Sequence, residues 1–270
     1  MRRVAVAALF ASSMTALAWG PEGHSLVARI ADAQLTPATR ARVTAILAPG
    51  QTMASIASWA DEARRTRADT APWHFIDIPI SQSHLDMARD CPKNACIIAE
   101  IADLRKTLED PATPADRQRE ALMFLVHFIG DMHEPLHCSD NNDRGGNSVR
   151  VVFFQRQTNL HSVWDSGLLG RLAPADQLFP VWSRESARRA KKWSKGTVEQ
   201  WAEQSHKAAQ KVVYGRLPKA PAGTAMAPAG TAVAPAGTPP ITLGAAYEKR
   251  RPIRSSGNKL KRRERGWPQC

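Results

Sequence analysis

PADRQREALMFLVHFIGDMHEPLH, Pro114 to His137, is the stretch on which the fold turns. Its first turns are polar. From Leu122 onward the apolar residues recur at helical spacing, which predicts one long helix. His127 and Asp131 are four apart, so both side chains fall on the same helix face. Pro135 cannot continue a helix and turns the chain back, which brings His137 along behind the pair. A second stretch, HSVWD, uses the same device: His161 and Asp165 are also four apart. One such pair alone is as readily a His–Asp contact on a helix surface. Two pairs in one chain, with His137 nearby, point to a centre for divalent metal ions. Imidazoles and carboxylates without a cluster of thiolates favour zinc over manganese or iron.

Most of the rest is helical in pattern. HSLVARIADAQL, MASIASWADEARR, CIIAEIADLRKTLED and TVEQWAEQSHKAAQKVVYG carry apolar residues at helical spacing. TPATRARVTAIL opens with Thr36-Pro37, a cap and first-turn pair. Only SVRVVFF (148–154) reads as a strand. It follows DRGGN, so a small β-hairpin or an irregular loop is expected there. The fold class is therefore mainly α, with residues 19–217 as its main domain. Residues 218–240 repeat Ala-Pro-Ala-Gly-Thr and read as a flexible linker. ITLGAAYEKR returns to helix-like composition, but from 241 to 270 the chain is basic and Gly/Pro-punctuated and reads as a disordered or divergent tail.

The N-terminus reads as a targeting segment. Met1-Arg2-Arg3 precedes an apolar run to Ala18 that is too short to span a bilayer, and Ala16-Leu17-Ala18 fits a small-x-small cleavage site. Residues 1–18 are expected to be a signal peptide, with Trp19 the first residue after its removal. The expectation is a secreted or periplasmic protein with no membrane insertion in its mature form. The net charge is +12, but nine Lys/Arg against two Asp/Glu lie beyond residue 219, and residues 19–219 hold 26 against 23. A basic tail raises non-specific affinity for phosphate backbones; solvated charge is the plainer reading. Cys91 and Cys96 bracket CPKNAC and are spaced to close a small loop, which an oxidising compartment permits. Cys138 and Cys270 are left undecided.

Other ligand sources are present. Asp61 sits in SWADEARR, where a solvated acidic face is the ordinary alternative. His74 lies between Trp73 and Phe75, an apolar setting in which a satisfied core histidine is the ordinary alternative. With these pieces in order, Trp19-Gly20, Gly23-His24, WADE, WHF, HFIGDMHEPLH, DRGGN and NLHSVWD, the chain resembles the zinc-dependent single-strand nucleases of the nuclease S-one / nuclease P-one family, to which mung bean nuclease belongs. Bacterial zinc phospholipase C shares that fold, a helical bundle. The resemblance runs from Trp19 to about Tyr214.

The resemblance implies three zinc ions. Asp61, His74, His127 and Asp131 would hold one. The α-amine and carbonyl of Trp19, with His24 and the bridging Asp131, would hold a second beside it. His137, His161 and Asp165 would hold the third; His133 is the alternative to His137, and the turn at Pro135 favours His137. It implies hydrolysis of single-stranded DNA and RNA at P–O3′, leaving 5′-phosphates, with 3′-nucleotidase activity. Asp131 and Asp61 would be the catalytic carboxylates, Asp61 orienting the attacking water. Phe75 would stack a base, Asp77 would accept from a base edge, and Asn147 with the DRGGN amides would approach a phosphate. Core packing for Phe75 and a simple turn for Gly145-Gly146 remain open alternatives. The mature chain is expected to act as a monomer. A zinc phospholipase C or another phosphoesterase is the second reading, although no lipid-docking segment accompanies it. Beyond residue 240 the chain departs from the family: the further helix expected to pack on the bundle begins and then loses its apolar period.

Overall fold

The computed structural model describes residues 19–218, 239–244 and Tyr247. The expected signal peptide, nearly all of the linker and most of the basic tail lie outside the described residues. The chain is mainly helical. Six longer helices organise it: α1 (Pro21–Gln34), α2 (Pro37–Ile46), α3 (Ile97–Glu109), α4 (Ala115–Met132), α5 (Ala175–Trp193) and α6 (Val198–Ala208).

Local chemistry starts and stops these elements. Pro37 occupies the first turn of α2, and the Thr36 hydroxyl accepts from Thr39 N–H, satisfying one of the donors a helix leaves open at its start. Thr197 and Gln200 form a reciprocal capping box on α6. α4 ends at Met132, two residues before Glu134-Pro135 begins a tight turn over Pro135–Cys138.

α4 is the centre of the molecule. From Ala121 to Met132 it buries residues on nearly every side. One face packs against α3 in a core built on Ile97, Ile98, Ile101, Phe124, Phe128 and Met132. A second core, with Leu136, Val151, Leu160, Val163, Trp164, Val213 and Leu243, lies beyond the Pro135 turn. The histidine- and aspartate-bearing segments run between these two apolar masses.

The expected hairpin is present, with an addition. β1 (Arg150–Phe153) pairs antiparallel with β2 (Arg156–Asn159), and β3 (Ile241–Leu243) pairs parallel with β1, giving the order β2-β1-β3. Ile241–Leu243 thus corrects the expectation that the chain is disordered from residue 241. Leu243 is fully buried, and Tyr247 accepts from the Trp164 indole while donating to Val213 O. Burial of Leu243 and of the Tyr247 ring supplies the reason a three-residue strand holds there. Cys91 and Cys96 form a disulfide. Cys138 is buried, and its thiol donates to Met132 O. Cys270 lies outside the described residues. No helix among the described residues is long and apolar enough to cross a membrane.

Candidate metal centre

Nine carboxylates and imidazoles converge between the two cores: His24, Asp61, His74, His127, Asp131, Glu134, His137, His161 and Asp165. None is more than 6% exposed. They fall into three groups whose ligand-type atoms lie within 4.8 Å of one another: Asp61, His74 and His127; His24, His127 and Asp131; and Glu134, His137, His161 and Asp165.

Asp131 stands at the middle. Its Oδ1 is 3.2 Å from His24 Nε2, while its Oδ2 is 3.0 Å from His74 Nδ1 and 3.2 Å from His127 Nε2. The i, i+4 spacing on α4 places His127 and Asp131 together. Their neighbours come from elsewhere: His24 from α1, Asp61 from the short helix Trp59–Ala63, and His74 from the end of the 3-10 segment Ala68–His74. Asp61 Oδ1 lies 3.8 Å from His127 Nε2 and 3.9 Å from His74 Nδ1, with the Arg64 guanidinium 3.6 Å away. The His24 and His127 rings stack with centroids 4.0 Å apart. That approach needs Gly130, because a Cβ there would sit 2.8 Å from His24 Nδ1.

The third group gathers around Asp165. His161 Nε2 is 3.2 Å from Asp165 Oδ2, and His137 Nε2 is 4.0 Å from Asp165 Oδ1. The HSVWD segment is one short α-turn, Leu160–Ser162, followed by a π-turn over Val163–Gly167. The i, i+4 pairing expected of a helix survives that change.

Backbone carbonyls set the tautomers. A carbonyl only accepts, so Nδ1–H of His127 donates to Ala57 O, that of His137 to His74 O, and that of His161 to Gly145 O. Each Nε2 lone pair is thereby turned inward, the orientation a metal-binding imidazole needs. Burial lowers the pKa of His137 to about 3 and of His161 to about 4, so both rings are neutral at physiological pH. The carboxylates respond differently. Burial pushes Asp61 and Asp165 up, and Glu134 and Asp131 push Asp165 further. Asp131, although its burial opposes ionisation, is held well below the usual range by His127 and His137.

The donor set fits divalent cations. His24 Nε2, both Asp61 oxygens, His127 Nε2, Asp131 Oδ1, Glu134 Oε1, His137 Nε2 and both Asp165 oxygens are buried and make no hydrogen bond. Buried polar atoms are ordinarily paired. So many unpaired acceptors facing one another form a cage for cations.

Of the sequence-derived candidates, the structure brings all eight imidazoles and carboxylates together. Trp19 is half-buried at the start of α1; the next residue, Gly20, donates its N–H to Asp165 O, which ties this end of the chain to the third group. Phe75 follows His74 and is half-buried, and Asp77 is exposed over part of its surface. Partial burial and the neighbouring Asp140, Asp90 and Asp143 push the Asp77 carboxyl up to about 6. Asn147 lies in its own turn, with Nδ2 donating to Arg144 O. Two of the DRGGN amides are taken up within the loop: Gly145 N–H donates to Asp140 and Gly146 N–H to Asp143. Gly145 is needed because of its φ of +58° and because a Cβ would meet Leu136 O at 2.6 Å; its carbonyl orients His161. Glu134 is the residue the sequence reading missed. Its only signal was an acid directly before the Pro135 turn, which reads equally well as a cap. His84, His133 and His206 stay outside the groups, as expected. His206 bridges Ser139 and Gln82 O, His133 bonds Ile129 O, and His84 faces Glu203.

Fold and site together define a helical protein with a buried cluster of three imidazole–carboxylate groups able to hold divalent metal ions. The S1/P1 Nuclease family model matches residues 19–250, and the chain belongs to that family. It is 41% identical to "Nuclease P1" of Penicillium citrinum over 155 residues, 55% of this chain and 57% of the relative. To "Endonuclease 4" of Arabidopsis thaliana it is 37% identical over 169 residues, covering 57% and 56%. To "Nuclease S1" of Aspergillus oryzae it is 35% identical over 169 residues, covering 60% and 58%. The chain thus spans a little over half the length of the curated relatives it matches.

Proposed function

We propose that this chain is an exported, zinc-dependent nuclease that hydrolyses phosphodiester bonds of single-stranded DNA and RNA at P–O3′, leaving 5′-phosphates, and that it also acts on 3′-nucleotides. The observation that carries this reading is the convergence of unpaired buried acceptors around Asp131 in a chain of the S1/P1 nuclease family.

Three zinc ions fit the donors: one on Asp61, His74, His127 and Asp131; a second on His24, Asp131 and Trp19; a third on His137, His161 and Asp165. Ions bound there lower the pKa of water and neutralise charge on a phosphoryl group. The protein's own groups do the rest. Asp131 turns one oxygen toward His24 and the other toward His74 and His127, the disposition of a bridging carboxylate. Asp61, at the edge of the group, orients the attacking water through its second oxygen. Phe75 stacks a base, an interaction of about 1–3 kcal/mol. Asp77 accepts from a base edge, and Asn147 contacts a phosphate. Removal of residues 1–18 frees the Trp19 amine as a donor, so export processing completes the site.

The test incubates the zinc-loaded mature protein with single-stranded DNA, double-stranded DNA, a 3′-mononucleotide and phosphatidylcholine. Cleavage of the single strand and the 3′-mononucleotide, with 5′-phosphate ends, is expected. Cleavage of the lipid alone would sink the nuclease reading. A form carrying one extra residue before Trp19 is expected to lose one zinc. Full zinc content in that form would rule out the amine as a ligand.

A further inference from the structure

Glu134 has no part in the ligand set proposed above, yet it is a fully enclosed carboxylate beside the third group. It is 0% exposed. Its Oε2 accepts from the backbone N–H of both Leu136, at 2.7 Å, and His137, at 2.9 Å. These two bonds tie the side chain across the Pro135 turn and fix its direction. Its Oε1 is buried and makes no hydrogen bond. A carboxylate oxygen of Glu134 lies within 4.8 Å of donor atoms from His137, His161 and Asp165.

We propose that Glu134 Oε1 is a fourth protein donor to the ion held by His137, His161 and Asp165, which would expand to five-coordinate to take a phosphoryl oxygen. The inference rests on the reading that this group binds zinc. Three arguments support it. Zinc takes carboxylate oxygens at about 2.0–2.2 Å and accommodates a fifth ligand during reaction, so a fourth protein donor is compatible with substrate binding. Two neutral imidazoles and two carboxylates carry a charge of −2 that matches a divalent cation, whereas Asp165 alone leaves a buried positive excess, which is costly. And an oxygen locked in place by two backbone N–H groups on its partner atom loses little freedom on binding, so its contribution to affinity is favoured.

Glu134→Gln separates the ligand role from the cap. A backbone N–H can only be accepted by the amide oxygen, so Leu136 and His137 would keep that oxygen in the Oε2 position and turn the NH2 toward the ion. The turn is kept and the fourth donor is lost. Zinc content is measured by elemental analysis across a chelator titration, for the wild type and for E134Q. The wild type is expected to hold three zinc ions. E134Q is expected to release one of them at least about tenfold more readily while keeping the other two. Identical titration curves would make Glu134 a turn cap only and overturn the inference. A wild type that binds no zinc would overturn the metal reading itself, and the inference with it. A crystal structure of the zinc-loaded wild type decides independently of how the variant folds. Glu134 Oε1 at about 2.0–2.2 Å from the ion is expected, and an oxygen beyond hydrogen-bond distance would contradict the assignment.

Discussion

Single residues govern the site in ways that their spacing only partly reveals. His127–Asp131 and His161–Asp165 were legible because four-residue spacing puts two side chains on one helix face, and the structure keeps both pairs at 3.2 Å. Glu134 was not, because an acid ahead of a proline-led turn satisfies local backbone donors whether or not it also faces a metal. Gly130 is a sharper case. Gly130→Ala should raise helix propensity by about 1 kcal/mol, yet the new Cβ would press on the His24 ring. Weaker zinc binding at the His24–Asp131 group is therefore expected despite an improved helix, and zinc content per chain checks it. Asp77 carries a pH signature. Its folded pKa, about 6, lies above the ordinary aspartate value, so its contribution to stability is present below about pH 4 and is lost as pH rises through 6. Asp77→Asn should accordingly raise the melting temperature at pH 7.5 and leave it unchanged near pH 3.5.

Elements were legible where their apolar period was strong. α4 could be read from Leu122 to the Pro135 turn, and its two neighbouring cores follow from it. The sheet could not be read in full. The turn between β1 and β2 holds Phe154 and Gln155 at φ +46° and +68°, left-handed positions that usually signal themselves with glycine or asparagine. β3 is three residues long and reaches β1 from far along the chain, so no local pattern announces it. Phe128 is fully buried, 5.3 Å from the Phe124 ring and 4.9 Å from that of His74. Phe128→Ala should cost about 3–5 kcal/mol, read from denaturant unfolding of the zinc-loaded protein. Tyr247→Phe removes the hydroxyl between Trp164 and Val213 O and should cost about 1–3 kcal/mol, which would show that Tyr247 contributes to the fold.

At the scale of the whole molecule, the centre is a buried concentration of carboxylates placed between two apolar cores. Which histidine joins which aspartate across α1, α4 and the segments between them depends on tertiary packing that periodicity does not encode; only the resemblance to the family offered a grouping. The arrangement predicts that metal and stability are linked. Without cations, burial pushes Glu134 up to about 8, so the metal-free fold loses stability as pH rises from the ordinary carboxylate range toward 8. His137 and His161, whose pKa values are lowered, act the other way and only below about 6.5. Between pH 7 and 8.5 the carboxylates therefore set the slope, and chelation should lower the melting temperature more at pH 8.5 than at pH 7. The most direct test of the account is the rate at which the zinc-loaded protein cleaves a single-stranded oligonucleotide when Asp131 is replaced by asparagine. Asp131 faces His24 with one oxygen and His74 and His127 with the other, so D131N is predicted to lower the rate by at least about a hundredfold in a protein that remains helical by circular dichroism. Cleavage within a few-fold of the wild type would contradict a centre organised on Asp131.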